Sequence, residues 1–194
     1  MTKRGYQTKS LIINVTRTLY SSHGCDGTTL DDIITASGVT KGAFYHYFKS
    51  KEALCHELVD YVAEEYAQLI ESLDSELDPL SKLGQLIRTL DELNTSGQWV
   101  NCQLILRLSA DSHDSHPHLQ KKICQFWKWY TGVFEEMIAN CQQAGQLTTN
   151  IDGQTLARMI MSMIAGAITF ERINQTQNSF AEMVEQVLEK YKAQ

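Results

Sequence analysis

Residues 40–54 read TKGAFYHYFKSKEAL, and they crowd Lys41, Lys49 and Lys51, the phenols of Tyr45 and Tyr47 and the imidazole of His46 around Gly42. Ammonium groups pair with phosphates, while hydroxyl and imidazole donors are of the kind that fix a protein's register on a duplex. Gly42 and Ala43 carry almost no side chain, which lets the backbone beneath them sink into a major groove. The competing reading is that Tyr45, His46 and Tyr47 only pack a hinge to the next helix. Catalysis finds less support: the sequence has no nucleophile-base arrangement, no phosphate-cradling glycine loop and no HExxH pattern, so an enzyme is not expected.

Other reactive side chains are scattered. The five cysteines (Cys25, Cys55, Cys102, Cys124 and Cys141) form no CxxC pair and are odd in number, which argues for reduced thiols rather than a disulfide framework. The segment HDSHPH places His113, His116 and His118 near Asp111 and Asp114, a spacing able to gather a metal. No cysteine is close in sequence and Pro117 opens a helix, so a solvated loop is the reading adopted, with no metal and no cofactor. Trp99, Trp127, Tyr130, Phe134 and Met163, with Trp129, Met159, Met161 and Phe170, are candidates to line an apolar pocket between helices. Core or dimer packing is the ordinary role of such a stripe.

These groups need elements to position them, and apolar residues recur at helical spacing almost throughout, with no sustained alternation. The fold expected is all-α. SLIINVTRTLYSSHG makes a first helix with Ile12, Val15, Leu19 and Tyr20 on one stripe, ended by Gly24 as a left-handed cap. Thr29, with Asp32 three residues on, caps a short second helix that stops at Gly38. Thr40 caps a third running to Tyr47, with Phe44 facing the same core as Val39 and Phe48; together these make a helix-turn-helix. Further helices are expected from Ser50 to about Leu73, from Asp78-Pro79 onward, and over about 98–110, 117–144, 153–173 and 179–192. The longest has Ile123, Trp127, Tyr130, Phe134, Met137 and Cys141 as its buried stripe. Phe180, Met183, Val184, Val187, Leu188 and Tyr191 form that of the last, which Ser179 and Glu182 cap.

The 194-residue chain carries a net charge of −6, unevenly spread. Seven Lys/Arg against four acids give +3 over residues 1–52, and ten against 19 give −9 over the rest. A basic head on an acidic body suits a protein of which only the head approaches a polyanion. No run reaches the roughly 18 apolar residues a membrane span needs, and the N-terminus lacks an apolar signal region, so a cytoplasmic protein without membrane contact is expected.

The stretch from LYSSHG through TTLDDIITASGVTKGAFYHYFKSKEAL resembles the TetR family of bacterial transcriptional regulators over residues 10–55, with glycines, caps, aromatics and the lysine opening the fourth helix at matching positions. The resemblance implies a DNA-binding head over residues 1–50 and a ligand-binding and dimerisation body over residues 51–194. It also implies a homodimer made by the last two long helices, on a double-stranded DNA operator. By position, Thr29 corresponds to a phosphate-contacting cap. Thr40, Lys41, Gly42, Ala43, Tyr45, His46 and Tyr47 correspond to recognition-helix contacts, and Lys51 to a phosphate clamp. Cys25 departs, standing where the family usually has an aromatic. For the dimer, Ala165-Gly166-Ala167 permits close helix approach, and Ile164, Gly166, Ala167, Phe180, Val184 and Val187 are the expected interface.

WVNCQLILRLSAD is similar to a stretch of a subset of such repressors, some of which sense electrophiles or oxidants, although Asn101 stands where glycine is common. If Ser96 or a neighbour caps the sixth helix, Cys102 lies within about two turns of its N-terminus, where the helix dipole favours thiolate. A small buried hydrophobe is the other reading of Cys102. The function expected is a ligand- or stress-responsive regulator, a repressor released from an inverted repeat by a small molecule or an electrophile. The alternative is a helical small-molecule-binding protein without specific DNA binding.

Overall fold

The computed structural model describes residues 3–97, 100–111, 117–176 and 179–193. Among them the chain forms nine helices: α1 (Lys3–His23), α2 (Leu30–Ser37), α3 (Lys41–Tyr47), α4 (Lys51–Glu71), α5 (Pro79–Thr95), α6 (Asn101–Asp111), α7 (Pro117–Gln143), α8 (Gly153–Asn174) and α9 (Phe180–Lys190). The fold is all-α with an N-terminal helix-turn-helix, and no strand forms among the described residues. Among the described residues no helix is long and apolar enough to cross a membrane. Two compact units result, Met1–Glu65 with Val100–Phe126, and Tyr66–Trp99 with Trp127–Gln194.

In the first unit α1 packs on α2 and α6. Ile12, Ile13, Thr16 and Tyr20 are its buried face, while Val15 and Leu19 sit half-buried at the margin. Thr16 belongs to that face because its hydroxyl donates to the Ile12 carbonyl at 2.7 Å, which satisfies a polar group that apolar periodicity overlooks. Ile33 of α2, Phe44 of α3, Phe48 just after it, Leu54 and Leu58 of α4, and Leu104, Ile105 and Leu108 of α6 are buried in the same unit. Each such apolar side chain contributes about 1.5–3 kcal/mol by leaving water. At the rim Arg17 pairs with both oxygens of Glu65 at 3.1 and 2.9 Å, and Lys9 with Glu57 at 2.5 Å.

Gly24 ends α1 at φ +79°, as expected of a left-handed cap. A Cβ there would also lie 2.4 Å from Asp111 Oδ2, so the position excludes side chains for two independent reasons. The freed carboxylate instead accepts from the Cys25 N–H at 2.9 Å, tying the turn after α1 to α6.

In the second unit α9 packs on α5 and α8. Asp78 caps α5, accepting from the N–H groups of Leu80 and Ser81 at 3.1 Å and from the Gln146 amide at 2.5 Å. Asp91, near the end of α5, accepts from Ser179 Oγ at 2.7 Å and the Phe180 N–H at 3.0 Å, so one carboxylate joins α5 to the start of α9.

Three expectations change. Ser96 is the C-cap of α5 and not a cap of the sixth helix, which begins at Asn101 because Gly97, at φ +66°, turns the chain first. The buried stripe of α7 runs through Leu119, Ile123, Phe126, Tyr130, Phe134, Ile138 and Cys141, with Trp127 and Met137 half-buried beside it. On α9 the buried face is Phe180, Ala181, Val184 and Leu188, and Met183 points outward.

Candidate nucleic-acid interface

The helix-turn-helix is held by local chemistry. Thr29 and Asp32 form a reciprocal capping box on α2: the Asp32 N–H donates to Thr29 Oγ at 3.1 Å, and the Thr29 N–H donates to Asp32 Oδ2 at 2.8 Å. The Thr29 hydroxyl also donates to Asp32 Oδ2 at 2.6 Å. That hydrogen bond, with the N–H one, holds the Asp32 carboxyl below the usual carboxylate range. The box occupies the only proton of the Thr29 hydroxyl, so a phosphate contact there competes with Asp32. Gly38 closes α2 in the left-handed region, and Thr40 then caps α3 by accepting the Ala43 N–H at 3.1 Å.

On α3, Phe44 is fully buried and Phe48, just beyond its last turn, nearly so; their ring centres lie 5.5 Å apart with the planes tilted by 42°. Anchoring that side leaves Lys41, Gly42, Tyr45 and His46 exposed together on the other, with Ala43 and Tyr47 half-buried at its edges. Tyr45 is 47% exposed, its ring edge-on to Phe44 at 5.5 Å, and His46 lies edge-on to Tyr47 at 4.8 Å. These ring contacts fix two polar tips without burying them. A Cβ on Gly42 would meet only Thr40 Oγ at 4.0 Å. The chain itself therefore does not need glycine at this position, and the room it leaves faces outward. Thr40 and Lys49 are exposed as well, and Ser50 caps α4 by accepting the Ala53 N–H at 3.0 Å. Lys51, the first residue of α4, is half-buried beside Cys25 and Cys55. Eight of the nine sequence-derived DNA residues thus cluster over α3 and the start of α4, with Thr29 at the start of α2.

Cys102 is buried as the second residue of α6 in the first unit, while Trp127, Tyr130, Phe134 and Met163 belong to the second. Tyr130 and Phe134 are core residues. Tyr130 packs on Tyr66 at 4.7 Å, Phe134 at 5.4 Å and Trp127 at 6.4 Å between ring centres. Trp99, His113, Asp114 and His116 lie outside the described residues, and among those described no three His, Cys, Asp or Glu side chains gather to hold a metal. A cavity of about 520 Å³ in the second unit is lined by Leu80, Gly84, Arg88, Glu185, Leu188 and Lys192. It contains the Arg88–Glu185 ion pair at 2.8 Å, a charged lining that does not suit an apolar inducer.

Two expected interface residues need correcting. Phe180 and Val184 are fully buried in the protomer's own core, because α9 turns that stripe toward α5 and α8, so neither is available to a second copy. Ile164, Gly166, Ala167 and Val187 stay half-buried. Phe170 and Ile173, 66% and 70% exposed, and Met183 are large apolar side chains at the surface that the expected interface did not include. Their signal was in the spacing: Met159, Met163, Gly166, Phe170 and Ile173 alternate steps of four and three along α8.

Comparison with known proteins agrees with this architecture. The family model described as "Bacterial regulatory proteins, tetR family" matches residues 12–58, and that described as "YsiA-like protein, C-terminal region" matches residues 57–191. The chain is 26% identical over 166 residues to the HTH-type transcriptional regulator TtgR of Pseudomonas putida, spanning 84% of this chain and 79% of that protein. It is 24% identical over 177 residues to the HTH-type transcriptional repressor DhaR of a Mycobacterium species, spanning 88% and 85%. A solved TetR transcriptional regulator from Chloroflexus aurantiacus shares the fold, with a TM-score of 0.85 at 21% identity over 100% of both chains.

Proposed function

We propose, from the premise that the chain belongs to the TetR family of bacterial regulatory proteins and is a transcription regulator, that it represses by binding an inverted-repeat DNA operator as a homodimer. Residues 1–50 make the DNA-binding head and residues 51–194 the signal-binding and dimerising body. The observation that carries the reading is the outer face of α3, where Lys41, Gly42, Tyr45 and His46 lie exposed over a buried Phe44 and Gly42 leaves open room. An α-helix presented in this way fits a major groove, with the lysines on phosphates and the tips of Tyr45 and His46 on base edges or backbone. Homodimerisation is supported by the exposed apolar seam of α8, and repression by relatives that are repressors, such as DhaR.

The test is selection of retained fragments from random duplex DNA, followed by a salt titration. Two-fold related heads require dyad-symmetric fragments with half-sites a helical turn, or a multiple, apart, and retention that falls steeply with salt. Fragments without dyad symmetry, or retention indifferent to salt, would leave the helical small-molecule-binding alternative.

Release follows when a small molecule enters the body or an electrophile reacts with a thiol. Cys102 is the thiol assigned here, the second residue of α6, by its likeness to the cysteine of repressors that sense electrophiles. Operator release by an electrophile from the wild type, and not from Cys102→Ser, is the expected result. Equal release from both would remove Cys102 as the sensing thiol.

A further inference from the structure

Cys25 and Cys55, 30 residues apart in sequence, meet inside the first unit with their sulfurs 3.1 Å apart. Cys25 sits in the turn between α1 and α2, and Cys55 on the second turn of α4, four residues after Lys51. Cys25 is 2% exposed and Cys55 fully buried, yet both line a cavity of about 150 Å³ together with Asp26, Lys51, Glu52 and Leu119. That is room for several water-sized molecules, hence for a peroxide. The Tyr20 hydroxyl lies 3.9 Å from Cys55 Sγ.

We propose that this pair is a peroxide-responsive dithiol, which closes to an intramolecular Cys25–Cys55 disulfide and thereby weakens DNA retention. The second half rests on the DNA reading above; the first does not. Cys25 is the attacking sulfur. The hydrogen bond from the Cys55 thiol holds it down to about 7 against the opposing effect of burial, with Lys51 adding to the lowering and Asp26 opposing it. The same contact pushes the Cys55 thiol up, so one partner is poised as thiolate and the other keeps its proton.

The Cys25 thiolate attacks one oxygen of the peroxide, breaking the O–O bond. The sulfur becomes a sulfenic acid, and the other oxygen leaves as hydroxide, which takes a proton to become water. Cys55 sulfur then attacks the sulfenic sulfur, losing its proton as the S–O bond breaks, and the second oxygen also leaves as water. Two thiols lose two electrons and two protons, and one peroxide is reduced to two waters.

Closing the bond draws the sulfurs together by about 1 Å and fixes the torsion between them. The movement is shared by the turn that feeds the capped start of α2 and by the first turns of α4, which carry Lys51. Both are parts of the proposed DNA surface, so closure displaces it.

The experiment uses the full chain with Cys124→Ser, which removes the exposed cysteine. Near-stoichiometric hydrogen peroxide is added, remaining thiols are alkylated, and peptides are mapped without reduction. The expected result is a Cys25 peptide joined to the Cys55 peptide, with Cys102 and Cys141 alkylated, and recovery of both thiols with dithiothreitol. Alkylation of both Cys25 and Cys55, further oxidation of Cys25 without a link, or a link to another cysteine would overturn the site. Retention of a selected operator is then compared for reduced and oxidised protein. A loss of about tenfold, the equivalent of one direct contact, is expected, reversed by dithiothreitol and absent in Cys25→Ser and Cys55→Ser. A mapped link with unchanged retention overturns the switch. Reduced protein that retains no DNA removes the function proposed above and the switch with it, while the peptide map still decides the site.

Discussion

Lys51 serves two neighbourhoods. Its ammonium acts on the Cys25 thiol, and by position it opens α4 next to the exposed end of α3. If its larger role is a phosphate contact, Lys51→Ala lowers retention of operator and random DNA alike and flattens the plot of log affinity against log salt by about one unit. Tyr45→Ala, by contrast, changes the ranking of operator variants, because a fixed phenol tip at the groove reads position as well as charge. Equal losses on all sequences for both variants would remove base readout from Tyr45. A third residue-scale expectation concerns pH. Hydrogen bonds from Ser81 first and Gln146 second hold the Asp78 carboxyl down to about 2, below the roughly 3.9 of an unfolded chain. Its contribution is therefore fully present above the unfolded value and lost as pH falls through the folded one. The thermal midpoint of the wild type should exceed that of Asp78→Asn at pH about 6 and converge on it toward pH about 2. A constant gap over that range would show that the charge of Asp78 does not matter.

At the scale of elements, the contrast between α2–α3 and α9 shows what a single chain makes legible. The start and stop of α2 and the start of α3 depend on Thr29, Asp32, Gly38 and Thr40 acting within three residues of themselves, so reading them needed no knowledge of the rest. The faces of α7 and α9 depend on partners far away in sequence. In α7, Phe126 and Trp127 are adjacent and both apolar, so periodicity admits two stripes that share Ile123, Tyr130, Phe134 and Cys141; packing chose Phe126 and Ile138. In α9, Phe180 and Val184 looked as suitable for a second copy as for the core, and the deciding contact is Asp91 of α5. The dithiol was illegible for the same reason, since nothing in the spacing of Cys25 and Cys55 places them together, although Cys25 had stood out as a departure from the family pattern. Asp91→Ala leaves the Phe180 N–H and the Ser179 hydroxyl without their acceptor. It should cost about 2–3 kcal/mol in a denaturant titration, against about 1 kcal/mol for Ser179→Ala, which removes the cap and one donor but leaves Asp91 its bond from the Phe180 N–H. Equal costs would mean that the carboxylate does no more than the hydroxyl.

For the whole molecule the exposed apolar side of α8 matters most. Four apolar residues with Gly166 among them form a seam along its length, and the outer ones, Phe170 and Ile173, are mostly exposed. Water on such a seam is unfavourable, and its alternation of four and three is what a second helix packs against. Gly166 is informative because a Cβ there meets nothing within 4 Å in the protomer, so whatever is sensitive to its size lies outside the protomer. Under the proposed two-fold symmetry each copy brings its own Gly166 to the same contact. Gly166→Phe then overpacks two related sites at about 1–3 kcal/mol each, and the dimer should dissociate at far higher concentration on sedimentation. Circular dichroism should show helical content unchanged, because the new ring meets open space in the protomer. The DNA consequence separates coupling from damage to the head. The variant should lose affinity for the full inverted repeat and keep that of the wild type for an isolated half-site. Loss on both sites would mean that the substitution reaches the head by another route, and a dimer of unchanged affinity with helicity intact would exclude Gly166 from the contact.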